Sequence, residues 1–319
     1  MTGDVILAVD LGGTKAEAAL IAVDAGSGTG TVVPGSRHRE PTGRGVAADT
    51  LARVIRSLVS SALAATPARV VGAGVGAAGP IDLTRGTVSP LNMPGIRDFP
   101  LRDVVEDTAE APTTLRLDGT CIALAEHWLG ATRGATCSLG MVVSTGVGGG
   151  LIVDGRLLSG PTGNAGHIGQ IHVVDPDEDA GRAGGAGGGG GAGTTLEETA
   201  SGPATVAWAQ RRGWRGETGE ELAAAVAAGD PVAEAATRRS AEAVGQAIAS
   251  VSALLDLEVA AIGGGFSRVR PDYLDLVGAA VARWTALPRT RPVAVRPSGL
   301  SADGPLLGAA ALRARAELL

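Results

Sequence analysis

Residues Val5–Leu20 read VILAVDLGGTKAEAAL. An apolar run reaches Asp10, turns through Gly12-Gly13-Thr14-Lys15 and leaves along a second apolar run, the pattern of a strand, a tight glycine turn and a returning strand. Two bare glycines let backbone amides approach a phosphate that any Cβ would keep away. Thr14 adds a hydroxyl donor, and Asp10 offers a carboxylate where a phosphate-bound Mg²⁺ would sit. The same residues also suit an ordinary hairpin, because two-residue glycine turns are common. With 50 glycines among 319 residues, a Gly-Gly pair decides nothing unless matching parts follow.

The chain is long enough for one large domain or two of ordinary size. Its net charge of −6, from 27 basic and 33 acidic residues without a Lys/Arg cluster, argues against nucleic acid as a main partner. Cys121 and Cys137 form neither a disulfide framework nor a CxxC pair, which suits a reducing cytosol. The start is polar and acidic without a signal-peptide pattern, and no uncharged apolar run is long enough for a bilayer. The expectation is a cytoplasmic protein that binds neither nucleic acid nor membrane.

Further along, Thr31–Glu40 reads as a third strand, and the 3.6-residue spacing of Leu51, Ile55, Leu58 and Val59 predicts a helix over 46–65. Arg69–Ala77 is a buried strand, Leu101–Ala109 a short helix, and Thr113–Leu117 a strand ending at Asp118 with a helix over 120–129. A second strand–glycine–strand unit follows, with Ser138–Val143 leading into Ser144-Thr145-Gly146-Val147-Gly148-Gly149-Gly150. The tract 181–193 (GRAGGAGGGGGAG) reads as a low-complexity loop. Helices dominate 196–255, a strand runs into Gly263-Gly264-Gly265, and a helix over 305–318 ends the chain. A hairpin plus crossovers, twice over, implies two α/β lobes. Two facing glycine turns and a third glycine run suit a nucleoside triphosphate held at both ends of its phosphate chain.

These pieces, in this order and over nearly the whole chain, resemble the ROK family of bacterial sugar kinases and sugar-responsive repressors. Asp10-Leu-Gly-Gly-Thr14 is similar to the family's first phosphate loop, Ser144–Gly150 to its second, and Gly263–Gly265 to its adenosine-side turn. Gly76-Ala-Ala-Gly79-Pro80 and Asn92-Met-Pro-Gly95 resemble segments next to the sugar, and Leu196–Gly202 the start of the helical segment. The resemblance implies an α/β, two-lobed actin/hexokinase/RNase H-like fold with an interlobe cleft. It implies a first lobe over 1–118 completed by the C-terminal helix 304–319, and a second over 119–303. It also implies ATP and Mg²⁺ as cofactors, a homodimer, and Asp118 as the base that takes the proton of the phosphorylated hydroxyl. Asp118 also suits a helix cap, being followed at once by a helical pattern. Lys15 fits no GxxxxGK[ST] pattern and reads as a solvated turn residue.

The departures from the family fall on sugar and zinc positions. Leu117 stands where the family has Asn before the catalytic Asp. The family's Glu-Ile-Gly-His is here His167-Ile168-Gly169-Gln170, and the Cys-rich zinc motif expected before Leu196 has no cysteine. Gln and Thr are poor zinc ligands, so no structural zinc is expected. Glu197 stands where the family has a second sugar-contacting acid, and equally suits a solvated first-turn residue that favours the helix dipole. The expected substrate contacts are Gly79, Asn92, Leu117, His167, Gln170 and Glu197. The expected phosphate and Mg²⁺ contacts are Asp10, Gly12, Gly13, Thr14, Ser144, Thr145, Gly146 and Gly148, with Gly263, Gly264 and Gly265 for the nucleotide.

The leading function is an ATP- and Mg²⁺-dependent kinase for a hydroxymethyl group on a sugar or sugar-like polyol. Two alternatives stay open: a glucokinase or N-acetylmannosamine kinase proper, and a catalytically degenerate sugar or nucleotide sensor. A repressor is disfavoured because only nine residues precede Asp10, too few for a DNA-binding domain.

Overall fold

The computed structural model describes residues 4–24, 28–174, 194–286, 292–300 and 302–319. The chain forms two compact units, the first from Met1–Thr136, Gly150–Gly166 and Gly299–Leu319, the second from Cys137–Gly149 and His167–Ser298. The sequence reading divides the chain after Asp118, whereas the helix opened by Asp118 packs in the first unit against the C-terminal helix Gly304–Ala314.

The first unit begins with β1 (Val5–Leu11), β2 (Lys15–Val23), β3 (Gly30–Val32), β4 (His38–Pro41) and α1 (Ala48–Leu63). It continues through β5 (Val70–Ala77), the hairpin β6 (Ile81–Asp82) and β7 (Thr87–Val88), α2 (Leu101–Ala109), β8 (Thr113–Leu117) and α3 (Asp118–Leu129). The sheet order is β3-β2-β1-β5-β8, with β4 also paired to β2. β1 and β2 are antiparallel, while β5 and β8 run parallel to β1, so β1, β5 and β8 end at the same edge. The single strand expected over 31–40 is two short strands. Ser36 interrupts it, its hydroxyl accepting from Leu20 N–H at 3.0 Å and donating to the Val33 carbonyl at 2.7 Å.

Alternation along the strands sorts their residues onto two faces. Leu7, Val9, Leu11, Val75, Leu115 and Leu117 share one core with Leu51, Ile55 and Leu58 of α1 and with Val104 and Val105 of α2. Ile6, Ala8 and Ala19 face the other way, onto Leu306, Ala309 and Ala310 of the C-terminal helix. That helix comes so close that a Cβ on Gly74 would lie 1.8 Å from the Ala309 carbonyl oxygen. The glycine-rich sequence of β5 is therefore a packing requirement.

In the second unit β9 (Ser138–Val143) leads through a glycine turn to β10 (Val147–Val153), which with β11 (Arg156–Leu157) carries the chain back to the first unit. Then come β12 (His172–Val173), β13 (Thr194–Thr195), α4 (Leu196–Ala200), α5 (Gly202–Arg211), α6 (Gly219–Ala227) and α7 (Pro231–Leu255). β14 (Val259–Gly263), α8 (Tyr273–Trp284) and β15 (Ala294–Pro297) complete it, with β14 parallel to both β9 and β15. The helix starts follow capping chemistry. Thr195 and Thr218 form capping boxes with Glu198 and Glu221, and Ser201 and Asp230 cap α5 and α7. The tract 181–193 lies outside the described residues. No described helix is long and apolar enough to cross a membrane.

Candidate active site

In the first unit, the shared edge of β1, β5 and β8 gathers the acidic groups. Asp10 lies opposite Glu17 of β2 and Gly76 of β5, so all three positions share one face of the sheet. Asp10 is only 8% exposed. Burial, then the charges of Asp118 and Glu17, push its carboxyl from the ordinary 3.8 to about 7, against a smaller opposing pull from Lys15. Glu17 differs. Burial favours its neutral form, but hydrogen bonds from Lys15 and Arg37 hold it below the usual carboxylate range. Lys15, still largely open to solvent, is also an ion-pair partner of Glu17 at 2.6 Å.

Asp118 is the first residue of α3, after Leu117 in the cap position, and its Oδ1 accepts the Gly119 N–H at 2.7 Å. It is half-buried, within electrostatic reach of both Asp10 and the buried Cys121 thiol, whose pKa burial and these two carboxylates raise. Leu117 does not join this group. It is 2% exposed, on the opposite face of β8, inside the apolar core with Leu115. The expectation that it lines the substrate fails on the two-residue period of the strand.

The first glycine turn is closed by the Gly12 N–H donating to the Lys15 carbonyl at 2.9 Å, and Thr42 Oγ1 donates to the Gly12 carbonyl at 3.0 Å. Thr14 is exposed beside them. Gly13 leaves room for a side chain: a Cβ there would lie 1.8 Å from Asn92 Nδ2, which would have to move. The structure therefore brings Asn92, read as a sugar contact, onto the turn read as a phosphate loop. Gly79 stands nearby in the chain path, its carbonyl accepting from Leu91 N–H at 3.2 Å. Asn164 clamps the adjacent hairpin, its amide accepting from and donating to the Ile81 backbone at 2.9 and 2.8 Å.

The second unit holds the other loop. Ser144 N–H donates to the Gly146 carbonyl at 2.9 Å, and the Ser144 carbonyl accepts from Gly202 N–H, the start of α5, at 2.8 Å. Glu197 Oε2 accepts the Val147 N–H at 2.8 Å. Ser144 and Thr145 open onto a cavity of about 390 Å³ together with Gly202, Thr218, Gly265 and Phe266. Gly202 and Gly219 begin α5 and α6, so two helix N-termini, with their partial positive charge, border the same space. Of the third glycine run, Gly265 lines the cavity, Gly263 packs beneath Ser298, and Gly264 has φ +95° with the Val143 carbonyl where a Cβ would go. Gly146 and Gly148 shape the turn and strand without lining the cavity. Phe266 and the start of α6 lie outside the motifs read from the sequence, whereas the start of α5 falls within Leu196–Gly202. Ser201-Gly-Pro203 and Thr218-x-x-Glu221 are readable as helix starts, but only the packing of α5 and α6 shows what they surround.

His167 is half-buried and precedes the short 3₁₀ turn Ile168–Gln170, in which Gln170 is exposed. Beyond it, Gln246 of α7 grips Val174, accepting its N–H at 3.0 Å and donating to its carbonyl at 3.1 Å. β12 and β13 pair, and Leu196 N–H donates to the Ile171 carbonyl at 2.8 Å. These bonds tie together the ends of the stretch where the family's zinc motif was sought. Among the described residues no group of three or more His, Cys, Asp or Glu could hold a metal ion.

A family model described as the ROK family matches residues 6–316. An N-acetylmannosamine kinase of Yersinia pseudotuberculosis serotype O:3 (strain YPIII) is 35% identical across 98% of this chain and 99% of its own length. The ROK hexokinase of Thermus thermophilus superposes with a TM-score of 0.77 at 32% identity, covering 96% of both chains. A ROK family glucokinase from Streptomyces griseus, in complex with glucose and AMPPNP, gives a TM-score of 0.76 at 30% identity over 97% of this chain and 98% of that one.

Proposed function

The chain belongs to the ROK family, and from that premise we propose that it transfers the terminal phosphoryl group of ATP to a hydroxymethyl group of a sugar or sugar-like polyol, with Asp118 as the base. It is a carbohydrate kinase of the ROK type, with two-unit architecture like that of the ROK hexokinases and glucokinases. The observation that supports the finer reading is the placing of Asp10 and Asp118 at the shared edge of β1 and β8, where burial first, then the Asp118 and Glu17 charges, raise the Asp10 pKa to about 7.

Phosphoryl transfer asks the protein for positioning and charge stabilisation rather than covalent chemistry. The acceptor hydroxyl gives its proton to the Asp118 carboxylate, its oxygen bonds to the γ-phosphorus, and the bond from phosphorus to the bridging oxygen breaks to leave ADP. A base so placed contributes on the order of 10²–10⁴-fold. In the second unit, the cavity bordered by Ser144, Thr145 and two helix N-termini suits the donor, with Phe266 as an apolar surface for the nucleoside. Asp10, buried among acidic neighbours and only partly balanced by Lys15, is short of positive charge, which fits a Mg²⁺ held by one or two carboxylates together with phosphates. When bound, such an ion would supply positive charge against the transferred phosphoryl group.

For the acceptor, His167 in place of a carboxylate removes an acceptor of charge-assisted bonds. We expect plain glucose to be a poor substrate relative to a sugar with altered ring substituents. The relatives' names bring N-acetylmannosamine and glucose into the panel. Sugar-dependent ADP release is to be measured with glucose, N-acetylmannosamine, N-acetylglucosamine, deoxy sugars and cyclitols. Release with at least one, and weak release with glucose, supports the reading. No sugar-dependent release contradicts the kinase mechanism, and efficient glucose turnover unimproved by His167→Glu contradicts the acceptor assignment.

A further inference from the structure

Glu197 occupies a position read as a sugar contact, yet its carboxylate is already engaged with the second glycine turn. Oε2 accepts the Val147 N–H at 2.8 Å, and a Cβ on Gly146 would lie 2.6 Å from that same oxygen. A larger residue at Gly146 would therefore have to push this carboxylate aside. No other hydrogen bond of the Glu197 side chain is present among the described residues, which leaves Oε1 available.

The element that carries Glu197 is firmly held. α4 starts with the Thr195–Glu198 capping box, and Leu196 is fully buried. From α7, Arg239 donates to the Thr199 carbonyl and Ser240 to the Ala200 carbonyl, both at 2.9 Å and both buried. The next helix pins the other end of the same turn, through Gly202 N–H to the Ser144 carbonyl at 2.8 Å. The Ser144–Gly146 turn is thus fixed from one side by a carboxylate and from the other by a helix start.

We propose that Glu197 is a positioning residue for the nucleotide donor: its carboxylate sets the backbone of the Ser144–Gly146 turn, so that donor affinity depends on Glu197 even without sugar. This rests on the reading of that turn as a phosphate loop. A pure sugar contact would change the acceptor KM and leave nucleotide binding untouched. A backbone clamp changes nucleotide binding first.

The test is calorimetric titration of the full chain with a non-hydrolysable ATP analogue and Mg²⁺, without sugar. Glu197→Ala should weaken binding by about tenfold, and Glu197→Gln, whose amide oxygen can accept the same N–H, should stay within about threefold. Gly146→Ala reaches the contact from the loop side, so the test does not rest on one variant. It should weaken binding comparably, and the double variant Gly146→Ala/Glu197→Ala should be no weaker than either single change, because both break one contact. Wild-type affinity in Glu197→Ala, or losses that multiply in the double variant, overturns the proposal while leaving the donor reading intact. A wild-type chain that binds no analogue overturns the donor reading itself, and the proposal with it.

Discussion

The two glycine turns share one sequence grammar and are built for different work. The turn at Gly12-Gly13 lies in a charged setting, beside an Asp10 that burial first, then Asp118 and Glu17, push towards neutrality. Its small residue makes room for a neutral amide, Asn92. The turn at Ser144–Gly146 faces a cavity bordered by two helix N-termini, and its small residue makes room for a carboxylate, Glu197. The first setting suits a cation and a proton acceptor, the second an anionic donor. A glycine in such a turn records the partner that needs the space, and that partner tells the two turns apart.

The largest effect should come from removing charge at the first turn. Asp10→Asn should lower kcat by roughly 10²-fold or more, because the carboxylate expected to hold the cation is gone. The same change should stabilise the free chain at neutral and higher pH. The folded-state pKa of Asp10, about 7, lies above its ordinary 3.8, so its stabilising contribution is full below about pH 4 and is lost as pH rises through 7. Melting curves of wild type and Asp10→Asn should therefore diverge between pH 4 and pH 7, with the variant higher at pH 8. Parallel curves would remove the electrostatic contrast between the turns.

A smaller loss should follow from crowding. In Gly13→Ala the new methyl displaces Asn92, the flexible end of a side chain, so stability should change little while kcat/KM falls by about tenfold. Unchanged kinetics would mean that Asn92 has no part in the acceptor site. The smallest effect concerns metal. Protein-only bonds, Gln246 to Val174 and the pairing of β12 with β13, hold the ends of the segment that lacks the family's cysteines. Chelators should leave the melting temperature unchanged and elemental analysis should find no stoichiometric zinc. About one zinc per chain would contradict this.

Both turns, the strands that lead into them and Asp118 were legible in the sequence because glycine turns and strand ends leave local signatures. Leu117 departs from the expected substrate contact, and the signal lies in the strand itself: Leu115 and Leu117 share the buried face of β8, and alternation alone places Leu117 away from Asp10. The cavity residues Phe266 and Thr218 were not legible, because distant helices assemble around the second turn only in three dimensions. Glu197 was half legible. Its place in the Leu196–Gly202 motif is local, but its bond to Val147, fifty residues away, exists only in the folded chain.

The account stands most directly on Asp118. Sugar-dependent turnover and nucleotide affinity are to be measured on the same preparation of wild type and Asp118→Asn, with the best acceptor of the panel. The proposed division of labour predicts a loss of about 10²-fold or more in kcat with the dissociation constant for the ATP analogue nearly unchanged. Near-wild-type turnover in Asp118→Asn would contradict it and leave Asp118 as the opening residue of a helix.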